Sequence, residues 1–473
     1  MKISSDLNET IKAIRGVLKI EESFDIIERT LKFGGKTTYM YYIDGFIKDD
    51  IMQFLMTRFF NITEKEMDLL DSPKKFMEHS IPYVEVAEEN DVMNLVNQVL
   101  SGQTAMLVEG FDKAIMLDLR TYPARGPQEP DKEKSLRGPK DGFVETIVFN
   151  TALIRRRVRD SRLVFKMFSV GKISKTDVAI GYMNGIENKK ALDFIVKKLN
   201  DLDIEALTMG DQSLVETIAH TTWYNPFPKV RYTERPDVAA AHITEGKIII
   251  LVDNSPTAML LPTSLFDFLQ DVDDYYLPVI TGNFLRFIRN FILFITLFLT
   301  PLYMLIVEKG NILPDALKFL LPQKIYPVPL LIQFLILEIA IDGLKLASLN
   351  TPGSLGMSLS VIGALILGEF AINTGWLIPQ SIFYMAIVSL GSFSQPSVEL
   401  GYAIKFLRIL ILILTSLFST YGFFAGIILS LILIATNKTF TGEPYLYPLI
   451  PFNWKALKSL IFRIRIVPKQ RQK

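Results

Sequence analysis

Three ionisable residues stand where a sequence seldom places them. Glu338, Asp342 and Lys345 lie within the apolar stretch 327–347, four and three residues apart. On a helix that spacing puts all three on one face. Charges inside a bilayer are costly and turn toward a bundle interior, a water-filled path or a neighbouring subunit. The chemistry they suit is attraction of cations, because cation paths use negative or carbonyl-lined constrictions. Glu369, near the end of another apolar stretch, is the fourth candidate intramembrane polar residue. Two alternatives stay open. Lys345 can pair with Asp342 and make the stripe structural, or the stretch can lie at the membrane surface or re-enter as a hairpin.

A second set is cationic. Arg155, Arg156, Arg157 and Arg159, followed by Arg162, crowd the end of one expected helix, and Arg286 and Arg289 precede the first long apolar run. These are candidates for contact with anionic lipid headgroups or with a neighbouring subunit. The plainer reading of the first group is a solvated helix end, where cations suit the helix dipole.

Other chemistry is poorly supplied. There is no cysteine, which excludes disulfides, thiolate metal sites and a cysteine nucleophile. The three histidines, His79, His220 and His242, are far apart. Phosphate-cradling glycine loops, nucleophile elbows and metal-ligand spacings are all missing. The sequence therefore points to no enzyme, no metal and no cofactor. The net charge of +1 gives no reason to expect a nucleic-acid partner.

The elements that must position these residues fall into two halves. From Met1 to about Tyr276 charges are dense and apolar runs short, whereas Phe291–Thr436 is dominated by long apolar runs. The first half contains a repeat. Leu31–Phe59 and Phe168–Leu199 each read as β-rich stretch, small-residue turn and amphipathic helix, with Gly45 and Gly185 in the turns. Ser101–Leu119 and Glu245–Thr263 each read as a hairpin. The matching glycines Gly45 and Gly185, and Gly102 and Gly246, give nearly one period. The reading is two similar α+β subdomains at 21–125 and 150–270, after a tail at 1–20. A Pro-, Gly- and charge-rich linker with the start of a connecting helix fills 126–149.

The second half reads as an all-α transmembrane bundle at 281–437. A span needs roughly 20 mainly apolar residues. Phe291–Val307, Pro327–Ala347, Leu355–Ile372 and Trp376–Phe393 are four candidates. Ile404–Thr436 is too long for one simple crossing and fits two short helices hinged at Gly422 or one long bent helix. Six crossings are expected, or four or five with a re-entrant or interfacial segment. Residues 438–473 form a basic tail with an amphipathic helix, carrying Lys455, Lys458, Arg463, Arg465, Lys469, Arg471 and Lys473. That tail, the arginines before the first span and the lack of a secretory pattern place both ends on the cytoplasmic side.

Several long motifs carry a resemblance. SLRGPKDGFVETIVFNTALIRRRVRDSRL (135–163), WYNPFPKVRYTERPDVAAA (223–241), EGKIIILVDNSPTAMLLPT (245–263) and GEPYLYPLIPFNWKALK (442–458) resemble the signatures of the GerA-type spore germination protein family, the germination receptor A subunits. The match covers nearly the whole chain. The resemblance implies a multi-pass protein of the spore inner membrane with both termini in the spore core. It also implies assembly with itself, as a pentamer, into a channel that passes monovalent cations early in germination. Membrane lipids are expected partners, and so is either a small companion membrane protein or germinant receptor B and C subunits. The competing reading is a non-conducting scaffold or signal-relay subunit. A secondary transporter ranks below both, since such folds duplicate the membrane part.

Overall fold

The computed structural model describes residues 1–4, 6–83, 85–122, 133, 135–219, 224–322, 326–350, 363 and 365–463. It divides into two compact units, Met1–His220 with Val230–Thr263, and Thr221–Lys229 with Ser264–Lys473.

The first unit holds two five-stranded antiparallel sheets of identical topology. The first subdomain contains α1 (Leu7–Leu18), β1 (Ile26–Phe33), β2 (Lys36–Ile43), α2 (Asp49–Phe60), α3 (Glu64–Leu69), α4 (Pro73–Ser80), β3 (Val86–Glu89), α5 (Val92–Leu100), β4 (Thr104–Val108) and β5 (Ala114–Leu117). The second contains α6 (Ile147–Arg157), β6 (Leu163–Val170), β7 (Thr176–Met183), α7 (Lys189–Asn200), α8 (Gly210–Ile218), β8 (Arg231–Thr233), α9 (Pro236–Thr244), β9 (Ile248–Val252) and β10 (Ala258–Leu261). The strand orders are β1-β2-β4-β5-β3 and β6-β7-β9-β10-β8. Registers repeat as well, with Thr38 opposite Val108 and Val178 opposite Val252.

Side chains alternate between the faces of a strand, so a sheet covered on both sides needs apolar residues at every position. β4 and β9 are buried throughout. In the first subdomain Tyr41, Ala105, Leu107 and Met116 meet α1 and α5 on one face. Met40, Met106, Ile115 and Leu117 meet α2, α3 and α4 on the other. In the second, Phe165, Ala179, Ile249 and Leu251 pack against α6 and α9.

This layering changes the reading of two segments. Residues 1–20 are not a tail: they contain α1, whose Leu7, Ile11, Ile14 and Leu18 are buried in the core. The helix after the linker is not a mere connector either. α6 does in the second subdomain what α1 does in the first, and it ends at Arg157 so that β6 can begin at Leu163.

The second unit is helical beyond its first residues. It contains α10 (Asp273–Tyr276), α11 (Val279–Glu308), α12 (Leu330–Asn350), α13 (Pro379–Phe393), α14 (Val398–Ala435) and α15 (Trp454–Ile461). Among the described residues α11 and α14 are long and apolar enough to cross a membrane. Half of the candidate span Leu355–Ile372, residues 355–362 and 364, lies outside the described residues. α14 is two arms, because Ser419 takes φ 55°, ψ −133° inside it. The arms fold back antiparallel. A Cβ on Gly422 would lie 1.8 Å from the Leu414 carbonyl oxygen, and one on Gly426 would lie 3.1 Å from Cα of Ile411. Leu433 packs on the cluster of Leu400, Ala403, Ile404 and Leu407. The expected hinge is therefore present three residues before Gly422. Gly422 itself is the contact that lets the arms close.

Candidate functional site

α12 carries Glu338 and Asp342 one turn apart, and the first arm of α14 carries Lys405 and Arg408 three residues apart. Tertiary packing sets these two pairs face to face. Arg408 Nη2 and Nε donate to Glu338 Oε1 at 2.5 and 2.8 Å, and its Nη1 donates to the Thr296 carbonyl of α11 at 3.0 Å. Lys405 Nζ lies 3.2 Å from Glu338 Oε2, donates to the Asp342 carboxylate and reaches the Glu338 carbonyl at 3.4 Å. Glu338 and Arg408 are 3% and 2% exposed, so water does little to screen this pair.

Burying two charges costs several kcal/mol per ion unless geometry and further hydrogen bonds compensate. Here the compensation is close to complete. Glu338 meets two cations, and Arg408 adds a backbone carbonyl to its carboxylate. Within the protomer Glu338 is a strut between α12 and α14. Asp342, with 29% of its side chain exposed, lies at the open edge of the network. Lys345 has a different environment. Its ammonium lies 4.5 Å from the Phe393 ring centroid and 5.9 Å from that of Tyr402, in cation–π range. The Asp342 carboxylate, which the sequence left open as a partner for Lys345, meets Lys405. Glu369 is exposed.

The cationic candidates divide. Arg155 is fully buried, with Nε 2.8 Å from Asp25 Oδ2, Nη2 3.1 Å from Asp25 Oδ1 and Nη2 2.9 Å from the Leu163 carbonyl. Ser23 completes the clamp by donating to Asp25 at 2.6 Å and accepting from the Phe165 amide at 3.0 Å. Arg155 therefore ties the two subdomains together and offers nothing to lipid. Arg156 stacks on Tyr122 at 4.4 Å, Arg157 grips Asp141 at 2.6 and 2.7 Å, and Arg159 is exposed beside Tyr122. Arg286 and Arg289 are also turned inward. Arg289 forks onto the buried Asp274 at 2.9 and 3.1 Å, while Arg286 lies 3.4 Å from Asp274 and donates to the Leu460 carbonyl at 2.7 Å. Neither is a lipid-facing residue. Arg463 joins them by donating to the Asp274 carbonyl at 2.8 Å, which seats the end of α15 on α10 and the start of α11.

The long motifs meet in space. Arg235 donates to Ser135 Oγ at 2.7 Å, to the Pro139 carbonyl at 3.1 Å and to Asp237 at 2.8 Å, drawing the linker onto the second subdomain. Glu133 accepts from Thr233 Oγ1 at 2.7 Å and from the Glu234 amide at 2.8 Å, and burial holds its carboxyl above the usual range. Asp253 accepts from the Ile147 amide at 3.1 Å at the start of α6. In the helical unit the Tyr445 hydroxyl donates to the Pro228 carbonyl at 2.7 Å. Asp25, Asp274, Lys405 and Arg408 were the partners that sequence reasoning missed. The signal for the last two was present: a cation pair inside an apolar tract requires a counter-charge, and Glu338 and Asp342 have matching spacing.

A duplicated, cysteine-free α+β unit followed by apolar helices carrying a buried charge network defines a membrane-associated protein. This chain belongs to the Bacillus/Clostridium GerA spore germination protein family, whose model matches residues 14–473. It is 39% identical to Stage V sporulation protein AF of Bacillus subtilis (strain 168) over 466 residues, 96% of this chain and 94% of that protein. It is 29% identical to Spore germination protein A1 of the same organism, over 96% of this chain and 93% of that protein. The N-terminal domain of the A subunit of the Bacillus megaterium spore germinant receptor GerK3 is 26% identical, with a TM-score of 0.43, over 55% of this chain and 96% of that chain.

Proposed function

We propose that the chain is a membrane subunit of a spore germination complex and assembles with itself, as a pentamer, into a channel that releases monovalent cations early in germination and amplifies the response. Membership of the GerA family supports the germination setting. The single observation that carries the conduction reading is the charge network on α12 and the first arm of α14, within apolar helices where charge is otherwise expensive. Its outer carboxylate, Asp342, held by Lys405, and the exposed Glu369 are the groups nearest to a passing cation. The setting is the spore inner membrane with both termini in the spore core. Six crossings follow if the α14 hairpin supplies two. Either a small companion membrane protein or receptor B and C subunits would complete the complex.

The test is potassium flux through the purified oligomer in liposomes. Glu338→Gln with Asp342→Asn is expected to lower flux and alter ion preference. Unchanged flux and preference would remove those residues from the path. A specific observation favours the second reading, a non-conducting scaffold or relay: two carboxylates and two cations balance within one protomer. Absence of flux under every trigger would select it.

A further inference from the structure

We infer that Glu338 and Asp342 form a monovalent-cation site that the chain fills with its own Lys405, so that Lys405 is a tethered blocking cation. The blocking role rests on the channel reading above; the binding site itself does not.

The geometry around Nζ carries the inference. The ammonium meets three oxygens from one turn of α12: Glu338 Oε2 at 3.2 Å, the Glu338 carbonyl at 3.4 Å and the Asp342 carboxylate. A mixed set of carboxylate and carbonyl oxygens is what a desolvated cation takes in place of water. An ammonium group is close in size to potassium and rubidium ions. Charge balance fixes the valence. Arg408 holds Glu338 through two nitrogens, which leaves Lys405 to balance Asp342. Withdrawal of Lys405 therefore uncovers one net negative charge, suited to a monovalent ion rather than a divalent one. Lys345, the other cation on this face, lies over Phe393 and Tyr402, outside the set of oxygens that Lys405 meets.

Lys405 also has the anatomy of a gate. It is the outer cation of the network, with 14% of its side chain exposed beside Asp342, whereas Arg408 is buried against α11. Its four-carbon stem can swing the ammonium out while Arg408 continues to join α12 to α14.

The test uses the full-length protein in detergent and in liposomes, with Rb⁺ as the probe. Lys405→Gln is expected to bind about one Rb⁺ per chain, at least a hundredfold more tightly than the wild type, roughly the lower end of what removing a tethered competitor gives. Adding Asp342→Asn to Lys405→Gln abolishes that binding. Lys405→Ala is the second arm and works even where the variant is destabilised. Ammonium or rubidium ions raise its unfolding temperature above that in N-methylglucamine at equal ionic strength, while the wild type shows no such difference. In liposomes Lys405→Gln takes up Rb⁺ without a trigger, and Lys405→Arg does not. No Rb⁺ binding by Lys405→Gln and no cation-specific rescue of Lys405→Ala would overturn the site. Rb⁺ binding without flux in any variant upholds the site and rejects the channel reading. Triggered wild-type flux with no Rb⁺ binding by Lys405→Gln does the reverse.

Discussion

At the scale of single residues, this protein spends its rare buried charges on joints. Arg155 and Asp25 are 130 positions apart and both almost fully buried. Arg155→Ala leaves Asp25 without its cation, and is expected to cost the α+β unit about 3–5 kcal/mol in urea unfolding. Arg155→Met with Asp25→Leu is expected to recover most of that loss, because an apolar pair carries no desolvation cost. Glu133 provides the pH-dependent counterpart. Its folded pKa is raised, so its contribution is fully present below the unfolded glutamate value of about 4.3 and is lost as pH rises through the folded value. Glu133→Gln keeps an oxygen acceptor for Thr233 and Glu234 while removing the charge. It should flatten that part of the pH dependence and hold or raise the unfolding temperature near neutral pH. An unchanged pH profile would show that Glu133 does not titrate in this window. The burial of Arg155 could not be read from sequence, because a run of arginines at a helix end looks the same whether solvated or clamped. The partner, Asp25, lies in the other subdomain.

At the scale of elements, the α14 hairpin depends on one close approach. Gly422 has room for a hydrogen but not for a methyl group against the Leu414 carbonyl. Gly422→Ala must push the arms apart, at about 1–3 kcal/mol or more, whereas Tyr421→Ala, at an exposed position, should cost little. Thermal unfolding of the two variants side by side checks the difference; equal midpoints would mean the arms do not close on Gly422. The need for a break in this tract was legible, since about 33 apolar residues exceed a single crossing. Its position at Ser419 was not, because serine gives no warning of a positive φ, whereas Tyr-Gly does suggest a hinge. The sheets were more legible. Strand, turn and helix recur at a nearly constant period, and burial on both faces leaves its trace in the continuous apolar runs of β4 and β9. The membership of α1 in the repeat was not legible, because its amphipathic pattern resembles any short surface helix.

At the scale of the whole molecule, the hairpin sets a topological expectation. Its arms, 398–418 and 420–435, are about 31 and 24 Å long, comparable with a hydrocarbon core of about 30 Å. The chain has no cysteine, so single substitutions report without background. Tyr421→Cys should react with an impermeant reagent from one side of the membrane, and Ser397→Cys and Thr436→Cys from the other. Labelling of all three from one side would make the hairpin re-entrant. Asn311→Cys and Asn350→Cys should label from opposite faces if six crossings hold. Composition and periodicity determined the division into an α+β half and an apolar helical half, the internal duplication and the lack of cysteine chemistry, and the long motifs carried the resemblance to the family. These are properties of local pattern, and local pattern is written along the chain. Which charges meet was decided only by the tertiary structure. Glu338 and Asp342 were visible as a stripe, yet their role depends on Lys405 and Arg408, more than sixty residues later. A stripe becomes a path, a strut or an occupied cation site according to what packs opposite it, and no spacing within one helix records that.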